Sequence, residues 1–180
     1  MKELILGGAR SGKSHHAEIC AKESELEVLY VATAQALDQE MQQRIQHHQQ
    51  QRPAHWRLIE EPINLVSVLK ENDNTSTCIL VDCLTLWVSN LICSDEHKNN
   101  IEKMSKELIA LIPTLKSNII FVSNEVSMGV IPLGEINRQF VDEAGRLHQG
   151  LAAVCDKVTL MVAGIPSIIK NQHYKESSLR

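Results

Sequence analysis

A glycine-rich segment near the start of the chain most limits the fold that this sequence can form. Gly7-Gly8-Ala9-Arg10-Ser11-Gly12-Lys13-Ser14 follows the short apolar run Leu4–Leu6 and precedes a helical segment. Glycines let backbone N–H groups approach a phosphate closely, and a helix N-terminus favours anions. Lys13 adds a charge for the β- and γ-phosphates, and the Ser14 hydroxyl suits Mg²⁺. The pattern in this position predicts a P-loop that binds the phosphates of ATP or GTP.

The apolar pattern of the remaining chain predicts strands that alternate with helices. Two segments have clear helical spacing, one from Met104 to Leu115, which Pro113 shortens or bends, and one from Ile136 to Val154. Five continuous apolar runs indicate strands buried on both faces, namely Leu4–Leu6, Val28–Ala32, Cys78–Val81, Ile119–Val122 and Val158–Val162. We therefore predict an α/β fold, a mostly parallel sheet with helices on both faces.

Polar residues follow four of these predicted strands. In an open α/β sheet, ligands bind outside the carboxyl ends of the strands, so these residues should lie at one edge and form the site. They are the P-loop, Thr33-Ala34-Gln35, Asp82 and Ser123-Asn124-Glu125.

The composition narrows the class of protein. The 180 residues are 43% apolar and 22% charged, which predicts one catalytic domain over residues 1–170 with a polar tail at 171–180. Lys and Arg number 18 against 22 Asp and Glu, without a basic patch, so a nucleic-acid partner is not expected. Five cysteines without a C-x-x-C pair indicate neither a disulfide framework nor a zinc site. No apolar run approaches a membrane span and no signal-peptide pattern is present, so we expect a cytoplasmic protein.

Asp82 and the histidines near residue 48 have two interpretations each. Asp82 ends a predicted buried strand, where a P-loop protein places a carboxylate that acts on Mg²⁺, but Asp is also a common helix N-cap.

The segment from Leu37 to Gln51 has a helical stripe at Leu37, Met41 and Ile45. His48 lies about 60° from the Ile45 direction, whereas His47 points about 200° away. His48 could therefore face the protein as a phosphorus nucleophile, or it could be an ordinary solvated or packed side chain. His15 and His16 are interpreted as surface or packing residues.

Several further motifs together resemble one enzyme family. They are Tyr30-Val31-Ala32-Thr33-Ala34, Asp38-x-Glu40-Met41-x-x-Arg44-Ile45-x-x-His48-x-x-x-Arg52-Pro53, Trp56-Arg57, Glu60-Glu61-Pro62 and Asn124-Glu125-Val126-x-x-Gly129-x-x-Pro132. With the P-loop, they resemble the bifunctional adenosylcobinamide kinase / adenosylcobinamide-phosphate guanylyltransferase family from about Leu4 to Lys170. One departure is Ser127, where family members often have Gly; a turn that required positive φ would be strained there.

The resemblance implies a RecA-like P-loop fold and two reactions in the assembly of the cobalamin nucleotide loop. ATP or GTP phosphorylates adenosylcobinamide, and GMP then passes from GTP through a guanylyl-histidine, at the position of His48, to adenosylcobinamide phosphate. Lys13 is the second expected catalytic residue, Ser14 and Asp82 are the expected Mg²⁺ ligands, and a homotrimer is expected. The implied nucleotide contacts are Gly7, Gly8, Ala9, Arg10, Ser11, Gly12, Lys13, Ser14, Thr33, Ala34, Gln35, Gln49, Gln50, Gln51, Arg52, Glu60 and Asp82.

Two other functions share the same P-loop. One is a simple small-molecule kinase in which His48 takes no part. The other is a non-catalytic nucleotide switch in which Glu125 and the loop 124–132 respond to the γ-phosphate.

Overall fold

The computed structural model describes residues 1–36, 39, 42–43 and 53–172. Within this part of the chain, seven strands form one sheet in the order β3-β2-β4-β5-β1-β6-β7. All neighbouring strands pair in parallel except β6 and β7, which are antiparallel. The strands are β1 Lys2–Gly7, β2 Glu27–Ala32, β3 Arg57–Glu60, β4 Thr77–Asp82, β5 Asn118–Asn124, β6 Lys157–Val162 and β7 Ile165–Asn171.

Helices cover both faces of this sheet, which confirms the predicted α/β architecture. The helices are α1 Lys13–Glu23, α2 Leu65–Glu71, α3 Leu84–Cys93, α4 Ile101–Leu111 and α5 Glu135–Val154. On one face, Ile5 of β1 packs with Ala17 and Ala21 of α1. On the other face, Leu4 of β1 packs in a larger core that draws on the remaining helices, including Trp87 of α3. Because Leu4 and Ile5 point to opposite faces, a continuous apolar run suits β1.

The five predicted strands are confirmed as β1, β2, β4, β5 and β6, whereas β3 and β7 at the two edges were not predicted. Three of the four β3 residues are exposed, as are the first five of β7. The turn between β6 and β7 has positive φ at both Ala163 and Gly164, 52° and 82°, which suits a tight hairpin. An edge strand has only one neighbour and little burial, so its apolar pattern is weak.

The two predicted helical segments are confirmed with one change of boundary. Glu135–Val154 forms α5 throughout, whereas α4 ends at Leu111 and continues as a 3₁₀ turn over Ile112–Thr114. Pro113 lacks an N–H for the α-helical ladder, which explains the earlier end. Leu115 therefore lies beyond the helix, although it remains buried.

Much of the predicted helix that carries the histidine motif lies outside the described residues. Gln39, Gln42 and Gln43 are helical. His47, His48 and residues 49–52 belong to the undescribed part, as do residues 173–180 of the tail. No described helix combines the length and the apolar character that a membrane span requires.

Candidate active site

The carboxyl ends of the parallel strands meet at one edge of the sheet, as predicted. The strand register places Ala32 beside Asp82. It also places Gly7 beside Asn124. The P-loop, the residues after β2, Asp82 and the loop after β5 therefore share this edge, where α/β proteins bind their ligands.

The P-loop backbone uses conformations and close contacts that need glycine. Gly12 is the N-cap of α1 and has a φ of 91°, in the left-handed region that glycine tolerates best. A Cβ at Gly7 would lie 2.6 Å from the carbonyl oxygen of Met161, so no larger residue fits there without a shift. The Gly164 N–H donates to the Ser11 carbonyl at 3.0 Å. The β6–β7 hairpin thus fixes the outer side of the loop.

Lys13 lies inside this loop, with 8% of its surface exposed. Its Nζ donates to the Gly8 carbonyl oxygen at 2.7 Å. Burial lowers the pKa of Lys13, and the negative charge of Asp82 is among the influences that oppose this shift. A buried ammonium group at a helix N-terminus is suited to neutralising phosphate oxygens.

Asp82 is held at the end of β4 and does not cap the following helix. The Tyr30 hydroxyl donates to Asp82 Oδ2 at 2.9 Å. The N-cap of α3 is Cys83, whose side chain makes no capping hydrogen bond. The N-cap interpretation of Asp82 is therefore wrong. The Asp82 carboxylate and the Ser14 hydroxyl are hard oxygen ligands of the kind that Mg²⁺ prefers, so the donor set fits this ion.

The predicted nucleotide contacts at the carboxyl ends of β2 and β3 differ in accessibility. Thr33 is fully buried, and its Oγ1 donates to the Cys83 carbonyl at 2.7 Å and accepts from the Cys83 N–H at 2.9 Å. Its side chain thus joins the ends of β2 and β4. Ala34 is half-buried, and Gln35 and Glu60 are exposed.

The loop after β5 is folded around the carboxylate of Glu125. The backbone N–H of Glu125 donates to the Gly7 carbonyl at 2.9 Å. Burial tends to raise the pKa of Glu125, but hydrogen bonds from Ser127 and Met128 keep it below its usual value. Ser127 is not among the described non-glycine residues with positive φ, so this departure from the family pattern causes no backbone strain. The backbone N–H of residue 127 donates to Glu125, as a glycine there also could, and the serine adds a second donor through its hydroxyl.

An open cleft of about 590 Å³ separates this loop from the P-loop and the β6–β7 hairpin. Hydrophobic side chains continue beyond it on the loop and are largely exposed, with Val130 at 96% and Leu133 at 97%. The cleft is lined by Gly8, Ala9, Arg10, Ser11, Glu125, Val126, Met128, Gly129, Leu160, Met161, Val162 and Ala163. We call the exposed side chains around Val130 and Leu133 the apolar rim. The polar backbone of the P-loop beside this apolar rim suits a ligand with both phosphate and hydrophobic parts.

Two supporting interactions at this edge were not predicted. Asn124 Nδ2 donates to Thr85 Oγ1 at 3.0 Å, which links the carboxyl end of β5 to the first turn of α3. Ser123 Oγ lies 2.7 Å from His148 Nε2 on α5, and both residues are buried. Asn124 belongs to a motif already recognised, whereas no local pattern links Ser123 to His148.

The P-loop and the sheet order are shared with many proteins, so the family is decided by comparison along the whole chain. Residues 3–169 match the model of the family described as cobinamide kinase / cobinamide phosphate guanyltransferase. The chain belongs to this family. The matched residues include nearly all of the described structure, and the match to the cobinamide kinase / guanyltransferase family agrees with the resemblance that the motifs indicated.

Curated relatives support the same assignment. The chain is 51% identical over 173 residues to the bifunctional adenosylcobalamin biosynthesis protein CobP of Pseudomonas aeruginosa, covering 96% of this chain and 99% of that protein. It is 40% identical over 182 residues to the bifunctional adenosylcobalamin biosynthesis protein CobU of Escherichia coli, covering 94% and 100%.

Solved structures show the fold of this family member to be a RecA-like P-loop NTPase fold. A solved ATPase domain matches with a TM-score of 0.54 and 13% identity, over 97% of this chain and 78% of that one. The flagellar accessory protein FlaH of Methanocaldococcus jannaschii matches with a TM-score of 0.51 and 15% identity, over 94% and 78%.

Proposed function

We propose that this chain phosphorylates adenosylcobinamide and then guanylylates the product. The observation that carries the proposal is the match of residues 3–169 to the cobinamide kinase / cobinamide phosphate guanyltransferase family. Lys13, buried in a glycine-supported loop at the carboxyl edge of the sheet, supports it. ATP or GTP supplies the phosphoryl group, and GTP supplies GMP.

In the kinase step, the P-loop N–H groups and Lys13 hold the triphosphate. The substrate hydroxyl attacks the γ-phosphorus, the β–γ phosphoanhydride bond breaks, and the hydroxyl proton is released. Adenosylcobinamide phosphate and a nucleoside diphosphate result. The exposed apolar rim around Val130 and Leu133 provides a surface for the hydrophobic part of the corrinoid.

In the guanylyltransferase step, we assign the nucleophile to His48 from the family motif. A neutral imidazole nitrogen attacks the α-phosphorus of GTP, an N–P bond forms, and pyrophosphate leaves. A phosphate oxygen of adenosylcobinamide phosphate then attacks the same phosphorus, and the N–P bond breaks. Adenosyl-GDP-cobinamide is the product.

The remaining contacts of the nucleotide are proposed on the same basis. Ser14 and Asp82 would hold Mg²⁺, which supplies charge neutralisation at the phosphates when bound. Gln35 and Glu60 are exposed at the same edge and accessible to the nucleoside. Gln49, Gln50, Gln51 and Arg52 follow His48 and lie outside the described residues.

Labelled GTP distinguishes this proposal from its two alternatives. With GTP labelled at the α-phosphate, we expect acid-labile, alkali-stable label on the protein that passes to adenosylcobinamide phosphate. With ATP or GTP labelled at the γ-phosphate, we expect transfer to adenosylcobinamide. Transfer of γ-label alone would indicate a simple kinase, and absence of both transfers would indicate a nucleotide switch.

Variants of the paired histidines locate the nucleophile. His48→Ala should lose the α-label and retain a measurable kinase step, because γ-transfer needs no protein nucleophile. His47→Ala is the matched control and should retain the adduct. Mass spectrometry that finds the nucleotide on His47 or on a lysine would contradict the assignment.

We also propose that the chain is a single catalytic domain over residues 1–170, acts in the cytoplasm and assembles as a homotrimer. The hairpin strands β6 and β7 expose Val162, Ile165, Ile168 and Ile169, each more than half accessible, which suits contact with another copy. Light scattering during gel filtration should give about three times the chain mass of 20.2 kDa. A monomeric mass at working concentration would contradict the trimer.

A further inference from the structure

Three side chains, one on β1 and two on α1, bring different metal-binding atoms together between this strand and the helix that follows the P-loop. A carboxylate oxygen of Glu3, a ring nitrogen of His16 and the sulfur of Cys20 all lie within 4.8 Å of one another. None of these residues takes part in the reactions proposed above. The group therefore requires an explanation of its own.

The two helical members already have the separation that a shared metal ion would impose. His16 and Cys20 are four residues apart on α1, so they share one face of the helix. His16 Nε2 and Cys20 Sγ are 3.6 Å apart. A tetrahedral ion bonded to sulfur at about 2.3 Å and to nitrogen at about 2.05 Å would separate these two atoms by about 3.6 Å.

The Glu3 carboxylate provides an independent indication that a cation binds at this group of side chains. Its side chain is fully buried. Oε1 accepts from Thr159 Oγ1 at 2.7 Å and lies 3.0 Å from Lys157 Nζ. Oε2 is also buried but has no hydrogen-bond partner among the described residues. Proteins rarely leave a buried carboxylate oxygen in this state, because desolvation is then uncompensated.

We propose that Glu3, His16 and Cys20 bind one divalent metal ion of the Zn²⁺ type. Carboxylate, imidazole and thiolate are all zinc ligands, and the sulfur distinguishes this site from the oxygen ligands expected for Mg²⁺. His16 and Cys20 are both half-buried, so water can reach the fourth position. As the metal–sulfur bond forms, the Cys20 thiol releases its proton to solvent.

The charges are consistent with binding. A divalent cation balances the Glu3 carboxylate and the Cys20 thiolate, and Lys157 remains paired with the other carboxylate oxygen. A metal ion at this position would link α1 to β1 close to the P-loop.

Cobalt(II) is a spectroscopic probe for this site. The reduced full-length protein, free of nucleotide and Mg²⁺, is titrated with Co²⁺ and then with Zn²⁺. We expect one equivalent of Co²⁺ to give a thiolate-to-cobalt charge-transfer band and tetrahedral visible bands, both removed by Zn²⁺. Cys20→Ser should abolish the charge-transfer band, and His16→Gln should weaken binding by on the order of tenfold or more.

Matched controls test the position of the ligands. His15→Gln alters the neighbouring exposed histidine, and Cys93→Ser removes an exposed thiol. Both variants should keep the wild-type band and affinity. Zn²⁺ should also raise the melting temperature of the wild-type protein and leave that of Cys20→Ser unchanged, because only the native wild-type site binds it.

Three results would overturn the proposal. The first is a wild-type protein with no thiolate band, in which case His16 and Cys20 form only a hydrogen bond and Glu3 binds water. The second is a band that survives in Cys20→Ser or disappears in Cys93→Ser. The third is an equal rise in melting temperature for wild type and Cys20→Ser. If Cys20→Ser does not fold, His16→Gln takes its place, and a Co²⁺ affinity equal to that of wild type in this variant would overturn the proposal.

Discussion

At the scale of single residues, Lys13 is defined by its burial and by one short contact. Its ammonium group donates to the Gly8 carbonyl inside the loop that we propose holds the phosphates. Burial disfavours the charged form, so the cation is stabilised by an anion placed beside it. The residue is therefore poised to bind phosphate more strongly than an exposed lysine would.

Replacing Lys13 by Ala should reduce GTP affinity by at least about tenfold, because a charge-assisted contact is lost in a site built mainly of backbone dipoles. Isothermal titration calorimetry measures the change. Lys22→Ala is the control, since Lys22 lies in the last turn of the same helix, 5.9 Å from the Trp56 ring, and away from the loop. A Lys13→Ala affinity within about threefold of wild type would contradict the phosphate-binding role.

Asp82→Asn keeps the shape of the side chain and can still accept a hydrogen bond from Tyr30. If Asp82 acts on Mg²⁺, this variant should need a higher Mg²⁺ concentration for turnover while its melting temperature changes little. Tyr30→Phe removes the hydrogen bond but leaves the carboxylate, so it separates positioning from charge. Full activity of Asp82→Asn with an unchanged Mg²⁺ titration would show that the carboxylate charge is not required.

At the scale of elements, two glycines of α5 have opposite surroundings. A Cβ at Gly145 would meet nothing within 4 Å, whereas a Cβ at Gly150 would contact the Ile109 side chain of α4, with Cγ1 at 3.1 Å. Gly150 therefore permits the close approach of α4 and α5, and Gly145 does not. In a helix interior, glycine costs about 0.5–1 kcal/mol relative to alanine.

Gly145→Ala should accordingly stabilise the protein by about 0.5–1 kcal/mol. Gly150→Ala should give no such gain, because Ile109 must move to accept the new methyl group. Urea denaturation of both variants gives the difference in unfolding free energy. Equal stabilisation by the two substitutions would show that the α4–α5 contact is loose at Gly150.

At the scale of the whole molecule, burial of His148 couples folding to pH. Burial lowers the pKa of His148 from 6.5 to about 4, with an opposing effect from Glu125. The unfolded chain therefore binds more protons than the folded protein between pH 4 and 6.5. The stability that depends on neutral His148 is complete above pH 6.5 and is lost as the pH falls toward 4, by on the order of 3 kcal/mol.

His148→Gln can keep a hydrogen bond to Ser123 but cannot titrate. We expect its unfolding free energy to fall less than that of wild type between pH 6.5 and 5, above the range in which carboxylates such as Glu125 and Asp73 protonate. Urea denaturation across this range measures both slopes. His55→Gln, at an exposed histidine, should match the wild-type slope. Parallel slopes for His148→Gln and wild type would show that His148 is not buried as a neutral base.

The sequence by itself determined the P-loop, the five inner strands and the family, because these are encoded by local patterns. Leu4–Leu6 is apolar at every position since both of its faces are covered. Two of the P-loop glycines have a specific structural reason, a positive φ at Gly12 and a close contact with Met161 at Gly7. The placement of Asp82 and Asn124 at one edge also followed, because parallel strands align their carboxyl ends.

Only the tertiary structure decided which residues meet across the chain. Thr33 resembles an exposed ligand contact in sequence, but pairing of β2 with β4 buries it against Cys83. Glu3 lies in an apolar strand and is 13 and 17 positions before His16 and Cys20, yet the packing of α1 on β1 brings their ligand atoms within 4.8 Å. Contacts of this kind depend on how helices and strands pack against one another. The spacing of residues along the chain predicts the periodicity within one element, so it does not predict these contacts.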